Sequence, residues 1–351
     1  MNALKLALHN PRVWGTWAIL IALALVPIVF GNENYVMRLF TGALCTAIAV
    51  YGMNILLGFT GLLSLAQGGF FGVGAYTVGL LTTDYDWPFW PALIAGVLVA
   101  AILGYLCGLI ALRTKDEYFA IFTMAIGFII YLIVSRWESV THAHTGVNNV
   151  KLPEGGGVID FTDPIPLFYL VFAILALIVY VTWAIRRSSV GRTLISIRTS
   201  EDLADAIGVN VGVNKQLAFA ASTALAGLGG GLYASVIGFI GPDSAMVDKT
   251  FEMLMFILVG GLGTVAGPLI GTLIVTFIFE LFQDFQAYRF ILVGPIIIAL
   301  VIFAPRGIVG YLGGWLDKRR ARKRQAEAAA RRTAAAATGD STRNTETQEV
   351  Q

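Results

Sequence analysis

Charge is scarce in this sequence. Of 351 residues, 13% are Asp, Glu, Lys or Arg and 57% are hydrophobic, which leaves too few polar side chains to cover a soluble globule. Histidine occurs three times and cysteine twice, at Cys45 and Cys107. Both cysteines sit inside apolar runs without metal-ligand spacing, so neither a disulfide scaffold nor redox chemistry is indicated. The motif G-x-x-x-x-G-K-[ST] is missing and no Lys follows a Gly, which excludes a Walker-type site for hydrolysing ATP. His142 and His144 near Glu138 imitate a metal site, but His-Ala-His in a hydrophilic loop with no second cluster reads as surface. Neither metal nor cofactor is expected, and the chain reads as a non-enzyme. Ionisable residues are nearly absent from the middle of the apolar runs, where each costs about 2.5–3.5 kcal/mol on the insertion scale. A carrier driven by protons or sodium needs some there, so the energy has to enter elsewhere. Glu252, Glu280 and Asp284 fall towards the outer ends of runs, where snorkelling or an external partner accounts for them.

What is present is one apolar run after another, which predicts an all-α polytopic membrane protein with about ten transmembrane helices. The spans fall near Val13 to Phe30, Tyr35 to Leu57, Gly61 to Leu81, Pro91 to Leu112, Tyr118 to Ser135 and Pro166 to Ile185. Four more follow, at Gln216 to Ile240, Phe251 to Leu262, Val265 to Phe282 and Phe290 to Phe303. The first run has no small-residue cleavage site after it and stays as a helix. Arg113 with Lys115, the group Arg186, Arg187, Arg192 and Arg198, then Arg306 and Lys318 to Arg324, all fall on one side of a ten-span chain. That side is the cytoplasm, with both termini, and the clusters set orientation rather than nucleic-acid binding. The division is a permease domain over 1–316, with a cytoplasmic loop at 186–213 and an external loop at 136–164, and a polar tail over 317–351. The tail begins basic enough to lie against membrane lipid and ends too polar to fold alone.

Two stretches stand out. Between Gly58 and Gly79 seven glycines are joined by Thr60, Ser64, Gln67 and Thr77. Backbone loosened at membrane depth is tolerated where it is buried or lines a watery cavity, so this stretch reads either as path-lining or as close packing. Asn54, Ser64, Gln67, Gly68, Gly72 and Thr123 are the candidates for a path, or for hydrogen-bonded bridges between helices. The second stretch is the polar interval Gly191 to Asn210. Its later half predicts a two-turn helix capped by Thr199 or Ser200, with Glu201 and Asp202 at the positive end of the dipole and Gly208 as the stop. Leu203, Ala204 and Ile207 are expected to share one face, too small to hold a lipid surface and suited to a groove on another protein. This is the expected point of energy entry.

Several blocks in fixed order carry a resemblance: GMNILLGFTGLLSLAQGGFFGVGAY, DEYFAIFTMAIG, GRTLISIRTSEDLADAIGVN, KQLAFAASTALAGLGGGLYA, ILVGGLGTVAGPLIG and APRGIVG. From about Tyr51 to Gly310 the chain resembles the larger permease subunit of bacterial branched-chain amino-acid ABC importers, the hydrophobic amino-acid uptake family. The resemblance implies a fold of the vitamin-B12-importer type in the bacterial inner membrane. It also implies a second permease subunit, two cytoplasmic ATP-binding subunits and an external substrate-binding protein. A coupling helix is implied at Glu201, Ala204, Ala206 and Gly208, with Leu203, Ile207, Arg192 and Arg198 beside it. The chain departs from the family at Thr199, Ser200, Asp202 and Leu203, and at VTHAHTGVNNV in the external loop. The cargo it implies is a branched-chain or other hydrophobic amino acid; urea, short amides and aromatic acids remain alternatives, as does a channel or carrier that needs no ATPase.

Overall fold

The computed structural model describes residues 19–31, 33–114, 116–155, 160–282, 294 and 307–311. The start of the first expected span, nearly all of the last one, Lys115, Arg306 and the tail over 317–351 lie outside these residues. Of a separate terminal unit over 310–351, only Gly310 and Tyr311 are described, and both are helical.

Helix α1, Asn34–Met53, runs on into a wider π-helical turn at Asn54–Thr60, and the chain then unwinds from Gly61 to Ala66. Next come α2 (Gln67–Thr83), α3 (Phe89–Ala111), α4 (Asp116–Arg136) and α5 (Pro164–Arg187). Two short helices follow, α6 (Ser189–Thr199) and α7 (Glu201–Ala206). The described fold closes with α8 (Val211–Ile237), α9 (Val247–Gly260) and α10 (Gly267–Leu281). Among the described residues five helices are long and apolar enough to cross a membrane: α1 with its π turn, α3, α4, α5 and α8. The protein is therefore a polytopic membrane protein. α2, α9 and α10 have 17, 14 and 15 residues, and the expected third span begins at Gln67 rather than Gly61 because six residues before it are unwound.

Glycine decides how closely the central helices pack. A Cβ on Gly74 of α2 would come within 2.1 Å of the Gly227 carbonyl oxygen of α8, so the two backbones touch. Similarly, α3 approaches α8 where Gly104 faces Thr223 and Gly108 faces Gln216. Lipid tails are as apolar as the side chains, so such close approach, rather than expulsion of water, drives helix association. α1 is the innermost span, its apolar window 94% buried, while α3 and α4 are each 28% buried and present Ile, Leu and Phe outwards.

The connections sort into two ends. At one, β1 (Val147–Asn148) pairs antiparallel with β2 (Phe239–Ile240), and His142 Nε2 lies 3.0 Å from Asp84. There too Lys151 donates a 2.5 Å hydrogen bond to Asp86 and so holds that carboxyl below the usual carboxylate range. These are loops that the charge pattern puts outside. At the other end α6 meets the π turn of α1 and, through Arg198, the α9–α10 connection, while α7 packs on α6 and α8.

Candidate functional site

The polar interval between α5 and α8 is more ordered than its sequence suggests. α5 runs to Arg187, and Ser188 caps the next helix by accepting from the Gly191 N–H at 3.3 Å. That helix, α6, buries Leu194 and Ile197 and packs against α5 and the π turn. Arg192 Nη1 donates to the Arg187 carbonyl at 3.1 Å, and the Arg187 guanidinium lies 4.4 Å from the centre of the Trp183 ring. Ser200 rather than Thr199 caps α7, accepting from the Leu203 N–H at 3.3 Å. Gly208 ends the turn at φ +87, a left-handed conformation that glycine adopts without strain.

The expected common face of Leu203, Ala204 and Ile207 does not form. Ala204 turns inwards and is 2% exposed, whereas Leu203 and Ile207, four residues apart, stand 64% and 70% exposed. A residue as small as alanine lets the α7 backbone lie close to α6 and α8. Glu201 is tied inwards as well, accepting from Lys215 of α8. Ala206 is exposed beside Asp202 and Asp205.

Arg198, at the end of α6, connects this surface to the membrane helices. Its Nη1 donates to the Gly58 carbonyl at 2.6 Å, in the π turn, and its side chain passes over Gly61 and Gly263. Gly58 in turn lets Asn54 reach across: a Cβ there would lie 2.2 Å from Asn54 Oδ1 and 2.8 Å from the Gly263 nitrogen. Asn54 accepts from the Gly263 N–H and donates to the Thr264 carbonyl, both at 2.9 Å, while the Tyr51 hydroxyl donates to the Val265 carbonyl at 2.7 Å. Gly307 packs on Gly261 in the same connection. Backbone that leaves the α-helical pattern here is thus satisfied by side chains, as membrane depth requires, and π-helical turns concentrate at functional positions.

The other polar candidates gather around the unwound segment before α2. Gln67 is 1% exposed; its Nε2 donates to the Ala49 and Ser222 carbonyls at 3.1 and 3.2 Å, and its Oε1 accepts from Ser222 at 3.1 Å. Thr123 accepts from the Leu65 N–H at 3.0 Å, and Ser64 accepts from the Ala66 N–H at 3.3 Å. Gly68 donates its N–H to Thr250 at 2.8 Å, and Gly72 lies against Ala245. In this conformation Asn54, Gln67, Gly68, Gly72 and Thr123 are closed into contacts with other elements, whereas the Ser64 bond is local to the unwound segment. Sequence reading missed Tyr51 and Thr250, whose partners lie 214 and 182 positions away, and Lys215, which pairs with Glu201 14 positions back.

The profile of the family described as "Branched-chain amino acid transport system / permease component" matches residues 35–304, a region holding every element of this junction except Gly307. The chain belongs to this permease family. Among the permease's relatives are the high-affinity branched-chain amino acid transport system permease proteins LivM of Salmonella typhimurium LT2 and Escherichia coli K12. Each is 29% identical over 280 residues, 74% of this chain and 66% of the relative, so the match spans just under two thirds of their length. The ribose import permease protein RbsC of Haemophilus influenzae is 23% identical over 84% of this chain and 92% of its own. No solved structure matches the permease significantly.

Proposed function

We propose that this chain is the membrane-spanning permease subunit of an ATP-driven importer that moves branched-chain or other hydrophobic amino acids into the cytoplasm by alternating access. Its assembly partners would be a second permease, two cytoplasmic ATP-binding subunits and an external substrate-binding protein, in a bacterial inner membrane, with about ten spans and both termini inside. The observation that carries this reading is the continuous connection from an exposed helix to interrupted membrane helices. Leu203 and Ile207 present an apolar contact to a partner, α7 is capped onto α6, and Arg198 of α6 holds the Gly58 carbonyl.

Closure of the ATP-binding subunits would push on Leu203 and Ile207, with Ala206 and Gly208 at the contact and Glu201 and Arg192 holding the helix pair. The push passes through Arg198 to the π turn and the α9–α10 connection. Movement there would exchange the hydrogen bonds of Asn54, Ser64, Gln67 and Thr123, and would shift α2 at Gly68 and Gly72, opening a path between inner helices. The amino-acid cargo is supported by the kinship with permeases named for branched-chain amino acids. Likeness to a ribose permease keeps the family alone from naming a cargo. Reconstitution tests the reading: uptake into liposomes is expected when ATP and the ATP-binding subunits are present and absent without them. Uptake by this chain alone would replace the importer with a channel or carrier.

A further inference from the structure

Far from the coupling helix in sequence, four charged side chains line one cavity of about 410 Å³ among α1, α8, α9 and α10: Arg38, Lys249, Glu252 and Glu280. The volume lies within the range of small-molecule sites, roughly 300–1,000 Å³. Its charges are arranged rather than scattered. Lys249 Nζ is 2.9 Å from Glu252 and stands 5.8 and 5.5 Å from the centres of the neighbouring Phe71 and Tyr233 rings, a cation set against an aromatic pair. The Tyr35 hydroxyl donates to Glu280 at 2.7 Å. Leu39 and Ile237 add an apolar wall. At the ends of single runs Glu252 and Glu280 are accounted for by snorkelling, but the fold gathers them with Lys249 and Arg38 into one lining.

With two positive and two negative groups, the lining is neutral overall yet strongly polar. An anionic aromatic acid would favour a net positive lining, while urea or an amide needs no ions. A zwitterion with an aliphatic side chain matches all three properties. Resting on the importer reading, we infer that this cavity is a receiving site for a zwitterionic aliphatic amino acid. Lys249 and Arg38 face its carboxylate, Glu280 faces its ammonium and Glu252 keeps Lys249 in position.

The test introduces cysteine at the apolar wall of the full-length chain, as Leu39→Cys and separately as Ile237→Cys, in vesicles of phosphatidylglycerol without ATP-binding subunits. Labelling by a maleimide is followed with and without 10 mM L-leucine, urea or benzoate. The expected result is at least fivefold slowing by L-leucine at either position, little by urea or benzoate, and loss of the slowing when Glu280→Gln or Lys249→Met is added. Equal slowing by all three compounds, or none by L-leucine at either position, overturns the site. Slowing by added phosphatidylethanolamine in place of L-leucine also overturns it and assigns the cavity to a lipid headgroup. Since no ATPase is present, failure here with ATP-dependent uptake intact removes the cavity and leaves the importer. Protection here without ATP-dependent uptake does the reverse.

Discussion

The neighbouring helices α6 and α7 come from one polar interval and have opposite surroundings. α6 buries Leu194 and Ile197 and ends on Arg198, whose guanidinium grips a backbone carbonyl 140 positions away. α7 turns Ala204 inwards, ties Glu201 to Lys215, and leaves Leu203 and Ile207 exposed. The difference teaches a division of labour: α6 is the seat that ties the interval to the membrane helices, and α7, in the function proposed above, is the head offered to a partner. A single long helix would combine the two and lose the turn at Ser200 that separates them.

Substitutions separate the two roles, and the largest effect on stability belongs to the seat. Ile197→Ala empties a buried site and should cost about 2–5 kcal/mol, read as a fall in the thermal midpoint of the purified chain. Arg198→Met removes the hydrogen bond to Gly58; with the arginine partly exposed, the loss is about 1 kcal/mol, but ATP-dependent uptake should drop steeply. If Arg198→Met transports normally, the seat does not transmit. Ser200→Ala removes the cap of α7 and should lower stability by roughly 1 kcal/mol, with a partial fall in uptake. Leu203→Asp lies at the far end of the scale, within about 0.5 kcal/mol of the parent in stability. A stability loss comparable to that of Ile197→Ala would show α7 to be buried and erase the contrast.

Much of this arrangement is legible in the sequence, and the exceptions have physical reasons. The apolar runs locate the five long membrane-crossing helices of the described residues, and the Ser200 cap and Gly208 stop bracket α7. The inward turn of Ala204 was hidden because a one-and-a-half-turn helix gives too few residues for a period to show which side is covered. α2 was hard to delimit because it is buried nearly all round, so no polar face marks it, and its glycines answer to Gly227 and Ala245 on other elements. The bonds of Gln67, Asn54 and Arg198 join residues 18 to 210 positions apart, and spacing along the chain carries no trace of them. Lys249 and Arg38 drew no notice as single charges at the ends of runs; only the fold brings them into one cavity with Glu280.

The central claim is that α7 delivers force received from a separate ATPase. It is tested most directly by co-purifying the ATP-binding subunits with Leu203→Asp from membranes in which its abundance equals that of the parent chain. The account predicts that the ATP-binding subunits no longer co-purify and that ATP-dependent uptake is abolished, while the variant stays inserted with unchanged thermal stability. Co-purification and uptake at the parent level would contradict it.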